Sequence, residues 1–377
     1  MSALMLGFIP LTDCAPLVVA KAKGFFAAEG LDVTLSREAS WATIRDKVAV
    51  GALDAAHMLA PMTLAATLGA GGEPTPMIAP LALNRNGSGV TVSTALAAAL
   101  RQADPVAMAE TPVTARALAR VIAARKAAGA PPLTFAVVFP YSIHNYALRY
   151  WMSQAGVDPD RDVRIVVTPP PRMVEQLAAG VIDGFCVGAP WNAVARADGI
   201  GEVLLRASDF WRDGPDKVFG MTRAWAEDHP DTLQAALRAL ILAAAWADAP
   251  AHRQELVALL ARPEHVGADP QAIAWALEGE IVFHAGDAGF PWRSHAAWFL
   301  SQMARWGQIA PDLDLMATAA QVYRPDLYRQ AAESLGLASP VEDARIEGPK
   351  AFFDGQVFDP AAAGAYARSF PIGRLSA

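Results

Sequence analysis

The sequence predicts an α/β protein with two lobes that repeat one structural plan around a cleft. Segments typical of strands alternate with segments typical of helices over the first half of the chain, which indicates sheets with a parallel core. The chain has 377 residues, 53% hydrophobic and 18% charged, which is enough for two packed lobes. In addition, "GALDAAHMLAPM" from Gly51 and "GVIDGFCVGAPW" from Gly180 share Gly, Asp, Ala and Pro at the same places, as duplicated lobes would.

Strands and helices alternate in the predicted first lobe. In chain order the elements are a strand over 4–11, a helix over 15–30 closed by glycine, a strand over 31–36, a helix from Trp41 and a strand over 53–59. Ser40 is the predicted N-cap of the helix at Trp41, because its hydroxyl can accept a hydrogen bond from a free amide of the first turn. Ile44, Val48 and Leu53 would form its buried stripe.

The second lobe follows the turn-rich stretch "NRNGSG" at 84–89. Its predicted elements are a strand from 89, an arginine-rich helix over Val113–Ala128, a strand over 133–139, a helix over His144–Gln154 capped by Ser142, a strand over 163–168, a helix over 171–179 and a strand over 182–188. From Trp191 onward the chain reads as mostly helical. We therefore expect the first lobe at 1–86 and 189–310, the second lobe at 87–188, and a helical C-terminal extension at 311–377 that packs on the first lobe.

Charge and composition exclude several classes of function. The net charge of −7 gives no basic face for direct nucleic-acid binding, although a local pocket for an anion remains compatible with it. No apolar run is long enough to cross a membrane, and the N-terminus has no secretory leader, so we expect a cytoplasmic protein. The seven histidines show no metal-binding spacing, and the chain has no phosphate-binding glycine loop. We expect neither a metal nor another cofactor.

The two cysteines raise the question of a nucleophile. Cys186 lies in "GFCVG", which imitates the elbow of hydrolases, but Pro190 follows closely and no glycine cluster for an oxyanion is visible. A buried strand cysteine is therefore favoured over a catalytic one, and two reduced thiols over a disulfide between Cys14 and Cys186. Asp183 matches Asp54 of the repeat, which indicates a structural role at the start of both strands.

Three residues invite a second interpretation as ligand contacts. Trp41 is costly to expose, so it either packs beneath a neighbour or faces a ligand. His144 would lie at a helix N-terminus, where free amides favour an anion, although capping or packing is the alternative. Lys217 follows a Gly-Pro turn and, taken alone, would be a solvated lysine.

Several segments together resemble one protein family over Leu6–Ala310. It is the nitrate-binding group of bilobed solute-binding proteins of ABC importers, which has bicarbonate-, sulfonate- and taurine-binding relatives. The resemblance implies a periplasmic-binding-protein-like fold of type II, with two lobes joined by a hinge, and no enzymatic activity. It is carried by the segments "LGFIPLTDCAPLVVAKAKGFFAAEGLDV", "ASWATIRDKVAVGALDAAHMLAPM", "HNYALRYW", "FCVGAPW", "DKVFGM" and "GFPWRSHAAWFLSQMARWGQI".

The resemblance also implies a nitrate site at matching positions. These are Trp41, the backbone amides of Ala42 and Thr43, His57, His144 and Lys217. Nitrate is a flat monoanion with three acceptor oxygens and no proton to donate, so a site made only of donors with one cation suits it. A carboxylate in the pocket would favour bicarbonate, which has a proton to donate. The lysine at position 217 therefore leads us to expect nitrate or nitrite.

Two departures from the family pattern refine the expected role. Ala189 replaces the glutamate of the family's G-E-P-W segment. Because it shows no leader, the chain resembles the cytoplasmic nitrate/nitrite sensor branch of the family (NasS-like). Members of that branch release an ANTAR-type, RNA-binding antiterminator (NasT-like) when ligand binds. The sensor is our first hypothesis. The alternatives are an importer component that lacks its signal peptide, a binder of a pyrimidine or sulfonate, and a hydrolase that uses Cys186.

Overall fold

The computed structural model describes residues 2–278 and 280–375. The strands are β1 (Ser2–Phe8), β2 (Leu31–Arg37), β3 (Ala55–Leu59), β4 (Met77–Arg85), β5 (Ser88–Ser93), β6 (Thr134–Val137), β7 (Arg164–Val167), β8 (Gly184–Gly188), β9 (Gly201–Arg206) and β10 (Pro215–Thr222).

The helices of the first half are α1 (Ala15–Ala22), α2 (Phe25–Ala28), α3 (Trp41–Ala49), α4 (Ala60–Thr67), α5 (Thr94–Ala103), α6 (Arg116–Ala127), α7 (Ile143–Gln154), α8 (Met173–Ala178) and α9 (Trp191–Ala197). Those of the second half are α10 (Ala207–Phe210), α11 (Arg223–Asp228), α12 (Pro230–Asp248), α13 (Arg253–Leu260), α14 (Pro270–Leu277), α15 (Arg293–Arg305), α16 (Leu315–Val322), α17 (Pro325–Ser334) and α18 (Ala363–Arg368).

Two five-stranded sheets form the two lobes. The first has the order β2-β1-β3-β10-β4 and the second the order β7-β6-β8-β5-β9. In each sheet four strands run in the same direction, and the fourth strand in the order is antiparallel to both of its neighbours. The predicted bilobed α/β fold of type II is confirmed, with mixed sheets built around parallel cores.

The internal repeat corresponds to a pair of hydrogen bonds, made by an aspartate, that occurs once in each lobe. Asp54 accepts a hydrogen bond from the Met5 amide at 2.7 Å, and its own amide donates to the Met5 carbonyl at 2.9 Å. In the second lobe, Asp183 makes the same pair of bonds with Thr134, each at 2.7 Å. Each aspartate thus ties the start of the third parallel strand to the central one, which confirms the predicted structural role.

The helix caps also follow the sequence. The hydroxyl of Ser40 accepts from the Thr43 amide at 3.2 Å, and that of Ser142 from the Asn145 amide at 3.1 Å. The helix expected over 15–30, however, is divided into α1 and α2. Gly24 lies between them with φ = 78°, a conformation that glycine adopts without steric cost.

The chain crosses between the two sheets twice, and the second crossing differs from the expected one. The first crossing lies at Asn86 and Gly87, both with positive φ. The second lies between β9 and β10, because β9 pairs with β5 in the second sheet. The second sheet therefore extends to residue 206 and not to 188. β9 has only six residues, and both β9 and β10 are followed directly by a helix, α10 at Ala207 and α11 at Arg223, which explains why this region reads as helical from sequence.

The C-terminal extension contacts both lobes. Helices α16 and α17 pack on α4, α12 and β4 of the first lobe. Residues 351–374 reach the second lobe instead: Tyr150 donates to Asp354 at 2.8 Å, and Arg374 donates to Asp158 at 2.8 Å. We call residues 351–374 the tail. Among residues 2–278 and 280–375, no helix is long and apolar enough to span a membrane.

Candidate functional site

The structure brings four of the predicted residues together where the lobes meet. Trp41 begins α3, His57 lies in β3 and Lys217 in β10, all in the first lobe, whereas His144 lies in the first turn of α7 in the second lobe. All four are fully buried. The rings of Trp41 and His57 are 5.2 Å apart, and Lys217 Nζ lies 5.6 Å from the centre of the Trp41 ring. We call these residues, with Asp13 and Asp216, the cleft cluster.

Two carboxylates in this cluster were missed at the sequence level. Lys217 Nζ lies 2.8 Å from Asp13 Oδ2 and 2.5 Å from Asp216 Oδ1, and both aspartates are buried. The expectation of a site made only of donors, with a lysine free to pair with an anion, is therefore wrong. Burial of an unpaired ammonium is costly, and these carboxylates offset that cost.

Asp216 was missed because of a local irregularity in its strand. Neighbouring side chains of a regular strand point to opposite faces. The pairing of β10 with β4, however, shifts register on both sides of Lys217. A shift of this kind lets adjacent residues reach the same side, and here Asp216 and Lys217 touch. Asp13 lies in the short 3-10 turn Thr12–Cys14 before α1, and "TDC" carries no signal for such a role.

The charges of the cluster are set by burial and by one another. Burial raises the pKa of the Asp13 carboxyl, but Lys217 and His57 outweigh this and hold the pKa well below its usual range. Burial raises the pKa of Asp216 to about 6, against the opposing effect of Lys217. Burial lowers the pKa of Lys217, but the two carboxylates more than compensate and raise it. At neutral pH, Lys217 and Asp13 are charged, and Asp216 is mostly ionised because its pKa of about 6 lies below the pH.

The two histidines are neutral and differ in their surroundings. Burial lowers the pKa of His57, and burial together with the charge of Lys217 lowers that of His144 much further. The Ile9 amide donates to His57 Nδ1 at 3.4 Å, so Nε2 carries the proton and faces Asp13 Oδ1 at 2.8 Å. His57 is therefore oriented toward Asp13, and His144 is the freer of the two.

Several buried polar atoms of this region have no hydrogen-bond partner among the described residues. They include Trp41 Nε1, both ring nitrogens of His144, the Thr12 hydroxyl and Asp216 Oδ2, and also Asp13 Oδ1 and His57 Nε2, which face each other at 2.8 Å without hydrogen-bond geometry. Each such atom costs about 1–3 kcal/mol if nothing satisfies it. These atoms come from both lobes, Trp41 and Asp216 lie beside the Lys217 ammonium, and His144 lies 3.9 Å from Asp216. The arrangement therefore fits a small polar ligand enclosed between the lobes.

Close approach of the lobes depends on Gly188. A Cβ at this position would lie 3.3 Å from Asp13 Oδ2 and 3.6 Å from His144 Nε2. The adjacent Ala189 is buried, and its carbonyl accepts from the Thr12 amide at 2.8 Å, so this segment fastens one lobe to the other. The position at which the sequence departs from the G-E-P-W pattern thus borders the cleft cluster.

The two predicted backbone donors differ in their availability. The Thr43 amide donates to the Ser40 hydroxyl, so it is not the free donor that we expected. Ala42 lies in the first turn of α3, where an amide has no partner within the helix. Of this pair, only Ala42 can offer its amide to a ligand.

The cysteines do not form a reactive centre. In the described part of the chain, Cys14 and Cys186 are free, buried thiols, as expected. Burial raises the pKa of the Cys186 thiol far above its ordinary value, as does the charge of Asp216. A nucleophilic cysteine needs the opposite shift, so Cys186 has no support as a catalytic residue.

Comparison with known proteins identifies the family. The model of the NMT1-like family matches residues 1–261. The chain belongs to the NMT1-like family. The crystal structure of the periplasmic nitrate-binding protein NrtA from Synechocystis PCC 6803 superposes with a TM-score of 0.91 at 32% identity, covering 99% of both chains. The bicarbonate-binding protein CmpA from Synechococcus elongatus is 29% identical over 98% of this chain and 86% of its own length.

A further relative of this NMT1-like protein is larger. The nitrate import ATP-binding protein NrtC from Synechocystis is 38% identical over 98% of this chain, which spans 55% of NrtC. The chain therefore covers about half the length of NrtC but most of CmpA. This chain thus spans nearly all of NrtA and most of CmpA, two relatives whose names state that they bind nitrate and bicarbonate, respectively.

Proposed function

We propose that this NMT1-like protein binds a small planar oxyanion, nitrate or nitrite, between its two lobes. The observation that carries the proposal is that the buried donors of Trp41 and His144, from opposite lobes of the cleft cluster, have no hydrogen-bond partner in residues 2–278 and 280–375. The names of its relatives NrtA and NrtC, which refer to nitrate, support the same ligand.

Each contact matches the chemistry of nitrate. The Trp41 indole and a His144 ring nitrogen donate to two of the oxygens, and the Thr12 hydroxyl and the Ala42 amide are available for the third. Lys217 supplies the positive charge. Donors from both lobes are satisfied only when the lobes are closed, so the ligand stabilises the closed form over the open one.

Bicarbonate is a second candidate because of the carboxylates in the cleft cluster. Asp216 Oδ2 is a buried oxygen with no partner within the described residues, and it can accept the proton that bicarbonate carries. The name of CmpA supports this ligand. The reasoning from Lys217 alone, which favoured nitrate over bicarbonate, loses force once Asp13 and Asp216 are included.

Titration calorimetry of the full chain with nitrate, nitrite and bicarbonate tests the proposal. Trp41→Phe keeps the ring and removes its N–H, so it should weaken binding of the preferred anion about tenfold, the equivalent of one hydrogen bond. Trp246→Phe is the matched control, since Trp246 stacks on His252 far along the chain. Binding that is absent for all three anions would refute the proposal, as would equal affinities of the wild type and Trp41→Phe.

The cellular role admits two proposals. The names of NrtA and NrtC favour a component of an ABC importer. A cytoplasmic sensor that releases an ANTAR-type antiterminator upon binding nitrate or nitrite stays a prediction of the sequence resemblance. Co-purification of the tagged chain with and without nitrate separates them: a permease and an ATPase would identify the importer, and an RNA-binding partner released by nitrate would identify the sensor. Cell fractionation tests the predicted cytoplasmic location.

A further inference from the structure

Asp216 holds a special position in the cleft cluster. Its Oδ1 contacts Lys217 Nζ at 2.5 Å, and its Oδ2 is buried with no partner in the part of the chain that the structure describes. Asp13 contacts the same ammonium from the other side and also faces His57. One lysine therefore balances two buried carboxylates, of which Asp216 is the less well compensated.

The net charge of the cleft cluster makes binding of an anion without an accompanying proton unfavourable. With neutral histidines, one ammonium and two carboxylates give the cluster a net charge of −1. A monoanion beside Lys217 would bring the total to −2 in a site from which water is excluded. Like charges at short range disfavour ionisation strongly, so the cheapest correction is a proton on one carboxylate.

We propose that Asp216 takes up one proton from solvent when a monoanion binds beside Lys217, so that anion and proton enter the cleft together. The inference rests on the proposed function, because it requires an anion at this site. The proton forms an O–H bond on Oδ2, and this hydroxyl donates to the anion. The total charge of the cluster with its ligand then stays at −1.

The surrounding groups assign the proton to Asp216. Asp13 faces two hydrogen-bond donors, Lys217 Nζ and His57 Nε2, both of which favour its ionised form. The Nδ1 atom of His57 accepts from the Ile9 amide, which leaves it no free position for a proton.

The remaining titratable neighbours are poorer proton acceptors. His144 Nε2 lies 3.9 Å from Asp216, but its buried ring is kept neutral by the nearby positive charge of Lys217. The Cys186 thiol from β8 is already protonated. In support, burial raises the pKa of Asp216 to about 6 before any anion arrives.

The proposal separates the two candidate ligands. Nitrate has no proton, so its binding requires uptake from solvent. Bicarbonate carries a proton that it can donate to the ionised Asp216 carboxylate, so its binding requires less uptake or none. The number of protons taken up per bound anion therefore distinguishes binding of nitrate from binding of bicarbonate.

Calorimetry in pairs of buffers with different ionisation enthalpies counts these protons. For the wild type with nitrate, we expect an uptake of about one proton at pH 8, and a Kd that rises about tenfold between pH 7 and pH 8. Asp216→Asn resembles the protonated form, so it should abolish the uptake and bind nitrate at pH 8 about as tightly as the wild type does at pH 6. Asp213→Asn is the matched control, because residue 213 has a positive φ that Asn tolerates and its carboxylate is about half exposed.

Each outcome has a defined meaning. Nitrate binding without proton uptake and with a Kd independent of pH would overturn the inference, while leaving the anion site intact. Uptake that persists in a folded Asp216→Asn variant would overturn the assignment to Asp216. If that variant fails to fold, the number of protons that the wild type takes up per nitrate still shows whether uptake occurs. An infrared band of a protonated carboxyl, appearing on addition of nitrate, then tests the assignment. A wild type that binds no anion at any pH refutes the proposed function itself.

Discussion

Lys217 and Asp13 form a fully buried ion pair, with 2.8 Å between Nζ and Oδ2, at the point where β10 meets the turn before α1. The pair joins a residue near the start of the chain to one more than half-way along it. Asp13 also faces His57, so this one carboxylate contacts two other polar side chains of the cleft cluster, Lys217 in β10 and His57 in β3.

Asp13→Asn should lower the free energy of unfolding by about 3–5 kcal/mol, because it removes one partner of a buried ion pair and leaves the other undercompensated. Urea denaturation at pH 7 measures this loss. Asp32→Asn, on the exposed side of β2, should change the stability by less than about 0.5 kcal/mol. A loss below about 1 kcal/mol for Asp13→Asn would show that the pair contributes little.

The stability of the ligand-free protein should depend on the ionisation of Asp216. Its pKa rises from 3.8 in the unfolded chain to about 6 in the folded protein, so folding favours the protonated form. This contribution is full below pH 3.8 and is lost as the pH rises to about 6. We expect the wild type to lose about 3 kcal/mol relative to Asp216→Asn over this interval. Parallel curves of unfolding free energy against pH for the two proteins would contradict the shift.

Both repeated aspartates should stabilise the fold, Asp54 more than Asp183, because Asp54 also accepts a hydrogen bond from Trp225 Nε1 at 3.0 Å. Asp54→Ala and Asp183→Ala each leave a strand amide without its partner, at Met5 and Thr134 respectively. We expect each variant to lose about 1–3 kcal/mol, with the larger loss for Asp54→Ala, which also leaves the indole N–H of Trp225 without its acceptor. Thermal and urea unfolding measure both variants side by side. A large loss in one lobe and none in the other would show that the two bonds differ in function.

Gly188→Val should hold the lobes apart. Even a Cβ at this position lies within 3.3 Å of both Asp13 and Leu11, and the branched side chain adds two further carbons. We expect at least tenfold weaker anion binding and a larger radius of gyration by small-angle X-ray scattering. Gly72→Val is the control, because a Cβ there has no atom within 4 Å. An unchanged radius with unchanged affinity would show that closure does not depend on residue 188.

The sequence carried local signals for much of the fold. The caps at Ser40 and Ser142 and the duplicated Asp54 and Asp183 were all predictable, because each depends on a short stretch of chain. That Trp41 and Lys217 lie close together was implied only by the family resemblance, because neither local sequence contains a signal for contact with the other.

The features that were missed depend on distant parts of the chain. Asp13 becomes important only because β10 places Lys217 beside it. Asp216 reaches the cluster through a register shift that regular strand alternation does not foresee. Likewise, β9 is recognisable only once β5 is available as its pairing partner.

The tail has a consequence for the order in which the protein is made. During synthesis the N-terminal parts of a chain leave the ribosome first. All ten strands of the two sheets precede residue 223, whereas the bonds of Asp354 to Tyr150 and of Arg374 to Asp158 lie far beyond it. The hydrogen bonds between the tail and the second lobe thus form after all ten strands have been synthesised, so a ribosome-bound chain stopped before residue 351 contains every strand of both sheets but lacks these bonds.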